Sequence, residues 1–144
     1  MSDALHATLV SRRIDGRWRG ALIRGPSGAG KSTLALRCLD AGFRLVADDR
    51  VVVFASGGRL FGTAPRPLRG LIEVRSVGVV ACDAALSLSE IALVVDLVAE
   101  TERTPEPAFC LLAGLSLPRL LLPIADADLP RRMAVALAAL QRGL

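Results

Sequence analysis

The chain has 144 residues, enough for one domain with a real core. Hydrophobic residues make up 52% and the formal charge is +4, a globular composition with a basic balance. The arginines are scattered and the aromatics available for base stacking are few (Trp18, Phe43, Phe54, Phe61, Phe109), so nucleic-acid binding is not expected. Cys38, Cys82 and Cys110 show no C-x-x-C spacing, and a single histidine accompanies them; this argues against a disulfide framework and a structural zinc site. Met1 to Val10 lacks the charged-then-apolar order of a signal segment. The most apolar stretch, Phe109 to Ala125, is interrupted by Gly114, Pro118, Arg119 and Pro123. No membrane span is expected, and a cytoplasmic location is.

Leu5 to Ile14 reads as a first strand, Asp15-Gly16 as a turn, and Arg17 to Arg24 as the returning second strand. Arg12, Arg13, Arg17, Arg19 and Arg24 make this the densest basic stretch, either a solvated hairpin face or a raised potential for a polyanion or an acidic partner.

The second strand feeds Gly25-Pro26-Ser27-Gly28-Ala29-Gly30-Lys31-Ser32, which has the form G-x-x-x-x-G-K-S. Glycines at these places let the backbone curl so that successive N–H groups face phosphate oxygens. Lys31 would reach the β- and γ-phosphates, and the Ser32 hydroxyl would take a position on Mg²⁺. A helix from Thr33 to Asp40 should follow, placing its N-terminus against the phosphates. Lys31 is the chain's only lysine beside 17 arginines, and a compact ammonium on a flexible stem suits a phosphate cradle.

Ala41-Gly42 ends the helix, and Phe43 to Ala47 reads as a strand running into Asp48-Asp49. Val51 to Ala55, a Gly57-Gly58 turn and Arg59 to Phe61 read as a hairpin. Pro65 and Pro67 mark a loop, Leu68 to Val74 a short helix, and Val77 to Val80 a strand. Leu86 to Glu90 is ambiguous, and Ile91 to Val98 is an unbroken apolar run expected as a buried strand. Glu100 to Pro107 is a polar loop, Leu111-Leu112 and Arg119 to Leu122 are late strands, and Pro130 to Leu140 is a terminal helix. The pattern is one α/β domain over residues 1–144, with a mixed β-sheet and few helices.

Two candidates compete for the carboxylate opposite the phosphate loop. Asp96 ends the apolar run Ile91 to Val95, the usual setting of the metal-binding aspartate in ATPases and GTPases. Asp48-Asp49 follows Ser32 by 16 and 17 positions, at the end of the next strand. Adjacent strand residues point to opposite faces, so the two carboxylates would divide their work. One would lie near the metal, and the other would accept the proton of an incoming hydroxyl.

The run Gly25 to Ser32 followed by Ala41 to Asp49, together with Arg69-Gly-Leu-Ile-Glu-Val-Arg-Ser-Val-Gly-Val-Val80 and His6-Ala7-Thr8, resembles the HPr kinase/phosphorylase family. The resemblance is strong from about Leu5 to Val80 and looser beyond. It implies a P-loop kinase core similar to phosphoenolpyruvate carboxykinase. It also implies transfer of phosphate from ATP with Mg²⁺ to a serine of an HPr-like phosphocarrier protein, with phosphorolysis by inorganic phosphate as the reverse reaction. On this resemblance Asp49 is the catalytic base, joined by Lys31, by His6 as the active-site histidine and by Arg103 as a catalytic arginine. Ser32, Glu73 and Asp48 are the candidate Mg²⁺ ligands, Arg75 a phosphate holder, and Asp96 a structural residue. The nucleotide lies on Gly25, Pro26, Ser27, Gly28, Ala29, Gly30, Lys31 and Ser32. The chain starts almost at the matching histidine, as in a short form without the family's N-terminal domain. A homo-oligomer is expected, although Leu122 to Arg132 lacks the basic, glycine-containing loop that accompanies dephosphorylation and the hexamer. The competing readings are a small-molecule kinase on the same core and a non-catalytic nucleotide-sensing regulator.

Overall fold

The computed structural model describes residues 3–100 and 108–141. Strands β1 (Asp3–Leu5) and β2 (Thr8–Ile14) stand where a single strand was expected. β2 returns through Asp15-Gly16 into β3 (Arg17–Arg24). Both turn residues have positive φ, 50° and 79°, as a two-residue hairpin of this twist requires. Helix α1 (Lys31–Asp40) follows the glycine loop, and then come β4 (Arg44–Ala47), β5 (Val51–Ser56) and β6 (Arg59–Thr63).

The expected helix over Leu68 to Val74 does not form. A single 3-10 turn occupies Arg66–Leu68, and β7 (Leu71–Val74) then pairs antiparallel with β8 (Gly78–Ala81) as a separate two-stranded sheet. The reason is local: Gly70 adopts φ 72°, which ends any helical run, and the β-branched Ile72 and Val74 favour the extended ladder. β9 (Ser89–Val98) is the buried strand expected there. The late strands are one hairpin, β10 (Ala108–Leu112) and β11 (Leu115–Pro123), followed by helix α2 (Leu129–Gln141).

The main sheet runs β1-β5-β6-β9-β3-β2-β4, with β11 joined to the far half of β9 and β10 outside it. β3, β9 and β11 run parallel, and the other pairings among the described residues are antiparallel. β1 lies at one end of this order and β2 near the other, yet only His6 and Ala7 separate them in sequence. Two residues span at most about 10 Å. The sheet therefore curls until its two edges meet. Asp48, Asp49 and Arg50 make the same crossing from β4 to β5.

Residues adjacent along a strand serve opposite faces. Leu9 and Leu22 join Val46, Val51, Val53, Leu60 and Ile91 in one buried cluster. Val10, Ala21 and Ile23 join Leu34, Cys38, Leu93, Val95, Met133 and Leu137 in another, beneath the two helices. The strand ends and α1 thus rest on packed core from both sides, which fixes the phosphate loop between them.

Candidate active site

The glycine loop connects the end of β3 to the start of α1 as its pattern requires. Gly28 and Gly30 have φ of 80° and 99°, which suit glycine, and a Cβ built on either would meet nothing within 4 Å. The Lys31 side chain is folded back onto its own loop, its Nζ donating to the carbonyls of Gly25 at 2.8 Å and Pro26 at 3.1 Å. It is buried, and both bonds are to neutral acceptors that a phosphate oxygen would outcompete.

The two crossings at the closed seam bring the second half of the site. His6 Nε2 lies 3.2 Å from Asp49 Oδ1, and both side chains are exposed to the cavity side. Asp49 has φ 68°, a left-handed conformation that Asp tolerates better than most residues and that is concentrated at functional sites. A cavity of about 340 Å³ is lined by His6, Thr8, Ser27, Gly28, Gly30, Lys31, Ser32, Thr33, Asp49, Glu73 and Arg75. Glu73 and Arg75 reach it from β7 and the turn after it, two positions apart on one side of an extended chain.

Asp48 lies underneath. It is buried, and its carboxylate accepts from the Ser32 hydroxyl, the Thr8 hydroxyl and the Glu73 amide N–H. Thr8 was not singled out from the sequence. Its signal was faint: it lies two positions beyond His6, at the start of β2.

Asp96, the competing carboxylate, is committed elsewhere. Arg24 grips it through two hydrogen bonds of 2.8 and 2.9 Å, and Arg119 of the neighbouring strand donates to it as well. Burial alone would raise its pKa; hydrogen bonds and charge from the two guanidinium groups more than offset that and hold it below the usual carboxylate value. Such an aspartate ties β3, β9 and β11 together. The basic residues of the first hairpin are largely spent in the same way. Arg17 and Arg19 face Glu90, and Arg12 donates to the Ala41 carbonyl while lying over the Phe43 ring. Arg103 falls in residues 101–107, outside the described residues.

The donor set suits a hard cation shared with phosphate. Among the described residues no group of three His, Cys, Asp or Glu side chains converges on a metal position. Magnesium is ordinarily held by one or two protein oxygens plus substrate phosphates rather than by an all-protein cage. Ser32 and Glu73, both on the cavity wall beside the loop, match that requirement.

The model of the HPr serine kinase C-terminal domain matches residues 2–128. An HPr kinase/phosphorylase of Limosilactobacillus reuteri is 47% identical over 78 residues, covering 54% of this chain and 23% of that protein. One of Lactobacillus acidophilus is 41% identical over 103 residues, covering 67% of this chain and 31% of that protein. The chain thus spans between about a quarter and a third of the length of these curated relatives. The solved Hpr(Ser) kinase/phosphatase from Coxiella burnetii superposes with a TM-score of 0.77 at 27% identity, covering 97% of this chain and 96% of that one. It shares the α/β arrangement described above. With the phosphate loop, Asp49 and the Glu73–Arg75 segment gathered around one cavity, and with most of the chain matched, this protein belongs to the HPr serine kinase C-terminal domain family.

Proposed function

We propose that the chain is the catalytic domain of a Mg²⁺- and ATP-dependent kinase that phosphorylates a serine on an HPr-like phosphocarrier protein in the cytoplasm. The observation that carries this reading is the His6–Asp49 pair standing across one cavity from the Gly25–Ser32 loop. A switch or motor needs only to hold and hydrolyse its nucleotide. A carboxylate on the free side of the cavity, anchored by a histidine and held in a strained backbone, is suited to receive the proton of a hydroxyl acceptor.

The loop amides and Lys31 would hold the triphosphate, and Ser32 and Glu73 would hold Mg²⁺, which when bound supplies charge neutralisation on the phosphate oxygens. Asp49 accepts the hydroxyl proton as the acceptor oxygen bonds to the γ-phosphorus and the bond to the ADP oxygen breaks. His6 orients the Asp49 carboxylate. Lys31 leaves the Gly25 and Pro26 carbonyls for the charge that builds on the transferred group. With inorganic phosphate in place of ADP, the same site would pass the phosphoryl group from phosphoserine to that phosphate, giving pyrophosphate, while Asp49 returns the proton to the serine oxygen. Arg75, exposed on the cavity wall, is the cation placed to receive the incoming phosphate.

The test incubates the purified protein with γ-labelled ATP, Mg²⁺ and an HPr-type protein, alongside the same acceptor with its target serine changed to alanine. Label on the first acceptor and none on the second is the expected result. Label on neither, with turnover on a small hydroxyl compound, would establish a metabolite kinase instead. Nucleotide binding with no turnover on any acceptor would establish a sensor.

A further inference from the structure

Asp48 does not line the cavity, although four residues it contacts or adjoins do: Thr8, Ser32, Asp49 and Glu73. It is 4% exposed. Its Oδ1 accepts from Thr8 Oγ1 at 2.9 Å and Ser32 Oγ at 2.8 Å. Its Oδ2 lies 3.0 Å from Ser32 Oγ and accepts from the Glu73 backbone N–H at 3.0 Å. These three donors come from β2, α1 and β7, each carrying a residue of the site.

We propose that Asp48 is a positioning residue rather than a metal ligand, its buried carboxylate locking the Ser32 hydroxyl and the Glu73–Arg75 strand into one fixed relation. This rests on the reading of Ser32 and Glu73 as the Mg²⁺-holding pair. A hydroxyl has one proton and two acceptor lone pairs. With its proton given to Asp48, Ser32 can present only lone pairs to the cavity, which is what a cation requires. The amide tie at Glu73 matters for a different reason. β7 and β8 form their own sheet, outside the ladders of the main one, so the strand bearing Glu73 and the turn bearing Arg75 have no ladder pairing to the seam. The bond from the Glu73 N–H to Asp48 joins it there. The same carboxylate adjoins Asp49 in sequence, so metal holder, phosphate holder and base share one anchor.

Asp48→Asn separates the two roles. The amide keeps the shape but has one acceptor oxygen. If that oxygen stays with the Glu73 N–H, the NH₂ end meets Ser32 and Thr8, whose hydroxyls must accept and turn their protons away; if it is flipped, the Glu73 N–H faces a donor. Either way the charged acceptor is lost and one tie is spoiled.

The experiment records ¹H–¹⁵N spectra and amide exchange of wild type and Asp48→Asn without metal or nucleotide, then titrates Mg²⁺ into each with a non-hydrolysable ATP analogue. The expected result has two parts. In the metal-free variant the Glu73 amide proton moves upfield and exchange across Leu71 to Val74 quickens about tenfold, as loss of a charged hydrogen bond implies. The Mg²⁺ concentration for half-maximal analogue binding rises at least about tenfold. An unchanged Glu73 amide with weakened Mg²⁺ binding would make Asp48 a direct ligand and overturn the proposal, and so would an unchanged Mg²⁺ requirement. Neither readout depends on phosphate transfer, so a failure to phosphorylate an HPr-type protein would leave the outcome legible.

Discussion

His6 Nε2 stands 3.2 Å from Asp49 Oδ1, although the two belong to different crossings between the sheet's edges. Strand register aligns them across the bend: Leu5 pairs with Val51 and Leu9 with Ala47, one antiparallel register that brings His6 and Asp49 alongside each other. Because Asp49 sits at φ 68°, the choice of substitution decides what an experiment measures. Asn accepts that conformation readily, whereas Ala pays about 1–2 kcal/mol for it. Asp49→Asn should therefore keep the wild-type melting temperature and lose about 10²–10⁴-fold in transfer rate, the usual contribution of a general base. Asp49→Ala should lose the rate and some stability as well. Initial rates and thermal melts on the same samples check both, and a fast Asp49→Asn enzyme would remove Asp49 from the chemistry.

Lys31 offers a chemical handle because it is the chain's only lysine. With its ammonium buried and donating to two loop carbonyls, an amine-directed reagent should modify the N-terminal amine first and Lys31 slowly. Bound ATP should slow Lys31 further, as peptide mass spectrometry over time would show. Lys31→Ala should cost at least about tenfold in ATP affinity, the scale of one charge-assisted hydrogen bond, with a larger loss in turnover. Equal labelling with and without ATP would take the ammonium away from the phosphates.

Asp96 predicts a pH dependence of stability. Its pKa is depressed in the fold by Arg24 and Arg119, which outweigh its burial. A depressed carboxylate stabilises the protein fully above its unfolded value of about 3.9, and that stability is lost as pH falls through the lower folded value. Asp96→Asn should thus destabilise by about 1–2 kcal/mol at neutral pH, the range for charged hydrogen bonds reduced for partial exposure. The difference from wild type should shrink as pH falls below about 3.9 and vanish only once pH has passed the lower folded value, where both carry a neutral group. Denaturant melts across pH measure this, and the Mg²⁺ requirement of Asp96→Asn should stay at the wild-type value. A raised requirement would return Asp96 to the metal.

Much of the molecule is dictated by neighbours in sequence. The glycine loop needs only small residues at places of positive φ, a strand before it and a helix after it, and all of that lies within Arg17 to Asp40. Hairpin turns at Asp15-Gly16 and Gly57-Gly58 and the apolar run of β9 are legible for the same reason. The misreadings arise where pairing is distant. Leu5 to Ile14 looks continuous, because nothing in those residues announces that the first part pairs with β5 and the second with β3 and β4. Leu68 to Val74 carries helix-compatible spacing, and only the partner strand Gly78–Ala81, with Gly70 turned to positive φ, makes it extended.

The choice between the two aspartate positions depended on tertiary structure. Asp96 and Asp48-Asp49 both follow apolar runs, and those runs alone do not say what will stand beside the carboxylates. The parallel register of β3, β9 and β11 puts Arg24 and Arg119 on Asp96. Antiparallel register across the bend puts Thr8 on Asp48 and His6 on Asp49, while α1 and the separate β7 bring Ser32 and Glu73 to Asp48. Sequence by itself determined that a phosphate loop exists here and which residue types surround it, since those depend on local backbone freedom and composition. Which carboxylate meets which cation was decided only by long-range strand pairing, because a charge acts on whatever the fold brings within a few ångströms of it.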